Sequence, residues 1–309
     1  MSRRHQASCP QKVLEGHFKT NKETRMKPTS TQYLQLIQNS SHEAHATWRQ
    51  EITNTDLLLA ILASGSVATR VRAIHGLTLG SARRAQQEAR EDQLASVDAR
   101  TAAIPRRNIR DAGFDSSQLA LSTACEKTIK AKFSGNDYQC ALAAHLLAND
   151  SDCQEIASLA GVDPEKLTTK LINARSEPFI TRKKGTLQIN LFLPARAVEC
   201  FEIFTSQKFA QQNLSNSEKA APKWKLIQPK VGFLTASWQS SENIDERFAG
   251  SFKEAEAGAT AEISHVHANE NLLRKVVNKI SPVGIITLLN QAYYMADAVA
   301  RPNPRIAAP

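Results

Sequence analysis

The strongest constraint on the fold of this chain is an internal match at a constant offset of 85 residues, with no gap. The stretch TNTDLLLAILASGSVATRVRAIHGLT begins at Thr53, and its counterpart NDYQCALAAHLLANDSDCQEIASLAGVDPEKL begins at Asn136. Leu57 falls on Leu142, Ile61 on Leu146, Leu62 on Leu147, Val71 on Ile156, Ile74 on Leu159 and Gly76 on Gly161. Carried upstream, the same offset sets Leu36 on Leu121 and Trp48 on Phe133. Self-similarity of this kind predicts a duplicated unit that buries its apolar faces against its twin.

Each copy reads as a run of short helices. Ser30 in the first copy and Asp115 in the second are the expected caps of a first helix, because such side chains accept hydrogen bonds from free amides at a helix start. That helix is expected to run to about Trp48 or Phe133. Leu57, Leu58, Ile61 and Leu62 are spaced to form the apolar stripe of a second helix. Ser64-Gly65-Ser66, or Asn149-Asp150-Ser151, breaks it. Val67, Val71 and Ile74 predict a third helix, closed at Gly76, where glycine suits the left-handed turn. Asp163-Pro164 predicts the start of a fourth. Residues 81–111 read as a connector that begins as helix.

Composition narrows the function classes. With 309 residues there is room for two ordinary domains, and 41% hydrophobic against 22% charged residues predicts a soluble folded chain. No run of about 18 apolar residues is present, so no transmembrane helix and no membrane partner are expected. Residues 1–28 are basic and polar without an apolar core, which reads as a disordered tail rather than a secretory signal. The net charge of +9 favours acidic partners. It is split between that tail and Arg106, Arg107 and Arg110, and no basic helix is interleaved with aromatics, so nucleic-acid binding is not expected. Five cysteines, an odd number with no CxxC pair, predict a reducing, cytoplasmic setting without a disulfide frame.

Residues 29–176 resemble the double Clp repeat, the N-terminal domain of Clp AAA+ unfoldases such as ClpA, ClpB and ClpC. The resemblance lies in Thr53-Asn54-Thr55-Asp56, the Leu-rich run Leu57 to Leu62, Val67 to Val71 and the exit Gly76-Leu77, with Leu142, Leu146, Leu147 and Gly161-Val162 in the second copy. It implies an all-α bundle that docks proteins: a Clp ATPase, an adaptor or a substrate. The protein-binding positions it implies are Ser30, Thr55, Asp115 and Cys140. In ClpC-type members an acidic residue at the positions of Thr55 and Cys140 helps to recognise phosphorylated arginine. Neither residue here offers a carboxylate to a guanidinium, which puts that recognition in doubt. The phosphate-binding loop of the motor, GxxxxGK[ST], is absent. The expected function is therefore a non-catalytic adaptor, decoy or regulator of a Clp system.

Past Asn173 the pattern changes to that of a small α+β domain over residues 185–300, with 301–309 as a disordered tail. The turn Arg182-Lys183-Lys184-Gly185 reads as the boundary. TLQINLFL alternates as a strand, and Pro194 opens a helix. Residues 223–238 read as one or two strands, and residues 246–255 and 259–268 as two more. Asn271–Ala300 reads as a long closing helix that Pro282 and Gly284 kink or split. This order, with four or five strands, resembles a helix-grip (START-like) fold, which implies an apolar cavity and an alternative function in small-molecule or lipid binding. His265 and His267 share one strand face, and His42 and His45 lie one turn apart; both pairs read as solvent-facing rather than metal-binding. Cys140 and His145 fall on different helix faces, and neither a Gly-x-Ser-x-Gly elbow nor a Rossmann glycine triad occurs. No catalytic residue, metal or cofactor is expected.

Overall fold

The computed structural model describes residues 25–26, 28–96, 106, 119–183, 186–213, 224–227, 233–242, 246–267 and 283–301. The architecture is α+β, with a helical first part and a sheet-rich second part.

The first copy contains α1 (Ser30–Ala46), α2 (Asn54–Leu62), α3 (Val67–Ile74) and α4 (Leu79–Ser96). The second contains α5 (Thr123–Lys130), α6 (Tyr138–Asn149), α7 (Ser151–Leu159) and α8 (Pro164–Ile172). Four two-residue strands lie among them: β1 (Arg25–Met26), β2 (Glu51–Ile52), β3 (Ala120–Leu121) and β4 (Phe133–Ser134). They pair across the copies, β1 with β4 and β2 with β3. Leu57 to Leu62 and Leu142, Leu146 and Leu147 are buried in one shared core.

The offset of 85 recurs in backbone geometry. Gly76 and Gly161 have φ of 91° and 77°, left-handed values that glycine adopts without strain. Leu77 N donates to Arg72 O at 2.9 Å, and Val162 N to Ala157 O at 2.9 Å. Both are the six-residue closure of a Schellman turn. The next helix starts on a matched cap in each copy: Ser81 N donates to Thr78 Oγ1 (3.1 Å), and Lys166 N to Asp163 Oδ1 (3.2 Å). Reciprocal side-chain bonds join the copies. Asn54, at the start of α2, donates to Asp150 at the α6–α7 break (2.7 Å). Ser64, at the α2–α3 break, donates to Gln139 at the start of α6 (3.0 Å).

Upstream of α2 and α6 the offset fails. Helix α1 has 17 residues and α5 has 8. Leu36 is buried in mid-α1 while Leu121 lies in β3, and Trp48 is half exposed at φ 63° while Phe133 is buried in β4. The caps differ too. Thr29, not Ser30, heads α1: its Oγ1 accepts from Gln32 N (3.2 Å) and Gln32 Oε1 accepts from Thr29 N (3.0 Å). Helix α5 is capped by Ser122, and Asp115 lies outside the described residues.

The second part begins earlier than expected. The basic turn read as a boundary joins a hairpin, β5 (Ile180–Lys183) to β6 (Thr186–Leu193). Then follow α9 (Ala197–Thr205), α10 (Gln207–Asn213), β7 (Trp224–Ile227), β8 (Thr235–Ser240), β9 (Glu246–Ala255), β10 (Gly258–His267) and α11 (Val283–Ala300). The six strands are antiparallel in the order β5-β6-β10-β9-β8-β7. Of the expected closing helix, residues 271–282 lie outside the described residues. One sheet face is apolar and buried, through Ile189, Leu191, Ala261, Ile263, Phe252 and Trp238. His265 lies on this face, not on the solvent side: its ring stacks on Phe248 at 3.9 Å and its Nε2 lies 3.0 Å from Glu246 Oε1. Among the described residues no single helix is long and apolar enough to cross a membrane.

Candidate functional site

Of the residues expected to bind a partner, Asp115 lies outside the described residues, and the other three do not share an exposed surface. Ser30 is an exposed first residue of α1. Thr55 and Cys140 both sit in the first turn of their helices, and both are buried. A single nitrogen of Arg49, Nη1, meets Thr53 Oγ1 at 2.7 Å, Thr55 Oγ1 at 2.8 Å and Asp56 Oδ2 at 3.0 Å. Asp56 thus brings a carboxylate to this turn from the position after Thr55, and the guanidinium it meets is the chain's own. Cys140 donates its amide to Asp137 Oδ1 (3.0 Å), and burial pushes its thiol up to about 12.

A second constellation joins the two parts. Helix α11 lies against α1 and α4 through Asn290, Tyr293 and Asp297, which fall on one side of the helix. Asn290 Oδ1 accepts from Gln38 Nε2 (2.6 Å), and Tyr293 Oη donates to Glu43 Oε1 (2.8 Å). Arg83 bridges, with Nη2 on Glu43 Oε1 (2.5 Å) and Nη1 on Asp297 Oδ1 (2.8 Å), and Arg106 also pairs with Glu43. Burial acts to raise the Glu43 carboxyl. The guanidinium groups of Arg106 and Arg83, with bonds donated by Arg83 and Tyr293, outweigh it and hold the group at about 2. His42 is fully buried rather than solvated, its ring edge-on to Tyr293 at 4.4 Å, and burial lowers it to about 3. The sequence signal for this network was thin: one acid inside α1, and Tyr293 and Asp297 one helical turn apart.

A cleft of about 160 Å³ lies where the α2–α3 elbow meets the sheet. Strand β5 covers β6 only as far as Asn190, whose N–H donates to Phe179 O (2.8 Å). The next outward amide, Phe192 N, donates to Gly65 O at 2.7 Å, so the elbow continues the sheet edge. Gly65 has φ 68°, and a Cβ there would lie 3.0 Å from Leu191 Cδ2. One wall of the cleft is Ser66, Val67 and Arg70. The other is the outer sheet face, in two registered rows: Phe192, Thr260 and Lys253, then Asn190, Glu262 and Ser251. At the rim, Arg70 grips Glu177 with both terminal nitrogens (3.1 and 2.5 Å).

No protein-family model, curated protein or solved structure matches this chain. Among the described residues no three His, Cys, Asp or Glu side chains are grouped to hold a metal. The buried thiols Cys125, Cys140 and Cys200 are pushed up to about 12, chiefly by burial, so they stay protonated and weakly nucleophilic at neutral pH.

Proposed function

We propose that this chain is a non-catalytic protein-binding module, related in plan to the Clp N-terminal domain, and that it receives a segment of its partner in the cleft between the α2–α3 elbow and the sheet. The observation that carries the reading is the make-up of that cleft: Ser66 and Arg70 come from the duplicated unit, and Asn190, Phe192, Lys253 and Glu262 from the sheet. It offers apolar side chains such as Val67, Phe179 and Phe192 beside charges of both signs, which suits a polypeptide segment held by a few placed polar contacts. The twin helix starts are filled by the chain's own groups and α1 is packed against α11, whereas the cleft is open to a partner. Within this reading the partner is a Clp ATPase, an adaptor or a substrate, and the chain acts in the cytoplasm as an adaptor, decoy or regulator.

The strand order supports a helix-grip plan for the second part, since β6 pairs with β10, β7 to β10 form a meander and α11 packs on β6 and β10. That plan would favour a small apolar ligand. Beneath α9 the sheet face is packed by Phe204, Phe209, Phe252 and Trp238. The test is a pull-down with purified Clp ATPases and their substrates, using the full chain and the variant R70E/K253E. Retention by the wild type and loss by the variant is the expected result. Equal retention by both would remove the cleft from the account, and no retention by either would remove the Clp partner.

A further inference from the structure

The sheet wall of the cleft is polarised. Lys253 stands in the row that runs through Thr260 to Phe192, and Glu262 in the next row, which ends at Asn190. The first row meets the elbow, where Phe192 N donates to Gly65 O, and the second meets the start of β5, where Asn190 N donates to Phe179 O. An ammonium therefore lies in the row at the elbow end and a carboxylate in the row at the β5 end. Lys253 and Glu262 are both exposed, and no hydrogen bond or ion pair among the described residues involves either side chain. The other two charged residues lining the cleft, Arg70 and Glu177, hold each other at the rim. Lys253 and Glu262 are thus the charges that the cleft leaves free to face a ligand.

Resting on the reading of this cleft as the seat of a partner segment, we infer that the segment is extended and carries an acidic and a basic residue two positions apart. Lys253 is paired with Thr260 and Ser251 with Glu262, so Lys253 and Glu262 are diagonal neighbours on adjacent antiparallel strands. Such neighbours lie about 7–8 Å apart. Two residues of an extended chain cover about 7 Å and turn their side chains to the same face. Residues two apart on a helix do not share a face. In the extended form the acid meets Lys253 while the base meets Glu262. The spacing of the rows sets the separation of the two charges, and their signs set the order along the segment. A segment with two like charges would set one of them against its own sign.

A random peptide display library panned against the full-length chain supplies the probe. Selected peptides that slow hydrogen–deuterium exchange at residues 251–262 are expected to share an acidic and a basic residue at positions i and i+2, in one order. The fluorescein-labelled consensus peptide is then titrated by anisotropy into the wild-type chain and into K253E/E262K, which exchanges the two signs at exposed positions. Binding to the variant is expected to fall at least about tenfold, and a peptide with its acid and base exchanged is expected to recover it. Cleft-bound peptides without such a pair, equal binding of the consensus peptide to both chains, or no recovery in a variant that melts cooperatively would each overturn the inference and leave the cleft as a partner seat. If the double variant does not fold, E262Q serves in its place, and unchanged affinity there overturns the inference equally. Selected peptides that slow exchange only elsewhere, or no selected peptide at all, remove the partner seat itself and the charge pair with it.

Discussion

Arg72 is fully buried in α3, and its only described hydrogen bond runs from Nε to Ala68 O (3.0 Å). Nη1 and Nη2 find no hydrogen-bond partner among the described residues. Burial lowers its pKa to about 10, which amounts to about 3 kcal/mol against the charged form. Above about pH 10 the unfolded chain holds this proton more tightly than the folded one, so stability rises with pH there; at neutral pH the full penalty is in force. The twin position in α7 is Ala157, also fully buried, so the fold does not require a cation at this turn. Arg72→Met fills similar volume with an apolar, adaptable chain and is expected to stabilise the protein by about 1–3 kcal/mol. Urea unfolding followed by circular dichroism reads this as a higher midpoint at unchanged slope. Destabilisation by about 1 kcal/mol or more would refute the reasoning, because it would mean that the folded chain compensates the guanidinium.

Gly76→Ala and Gly161→Ala each force a side chain into the left-handed region, and each should cost about 1–2 kcal/mol in the same assay. Near-equal costs are expected, because the one neighbour described at either site, Val162 Cγ2 at 3.6 Å from the Gly76 position, is at ordinary contact distance. Glu43 is held at about 2 in the folded chain, below its unfolded value. Its contribution, about 3 kcal/mol, is present above the unfolded pKa and is lost as pH falls through the folded one. Glu43→Gln should lower stability at pH 7 and flatten that acid limb in a series of thermal melts. Cys125, Cys140, Cys153 and Cys200 should resist an aromatic disulfide reagent until denaturant is added, since all four are buried and raised in pKa.

Local chemistry was legible from the residues. Glycine after an apolar helix and Asp-Pro before the next have few structural outcomes, and the turns at Gly76 and Gly161 and the start at Pro164 follow from them. Alternation in TLQINLFL gave β6 for the same reason. Register upstream was not legible: α1 and α5 differ in length, and an apolar residue matched across a length change carries no register. The hairpin partner β5 was hidden because Ile180–Lys183 is short and its turn basic, like a linker. The polar seam was out of reach for a different reason. Glu43 and Tyr293 lie 250 residues apart, and only tertiary packing brings them together. His42 and His265 were assigned to solvent because periodicity names a face without saying what covers it.

The account rests most on the cleft as the place where a partner lies. A peptide selected from a random display library against the full chain can be mapped by hydrogen–deuterium exchange. The account predicts slowed exchange at residues 65–70, 190–192 and 251–262 on peptide binding. Slowing confined to other segments, with those three unchanged, would contradict it.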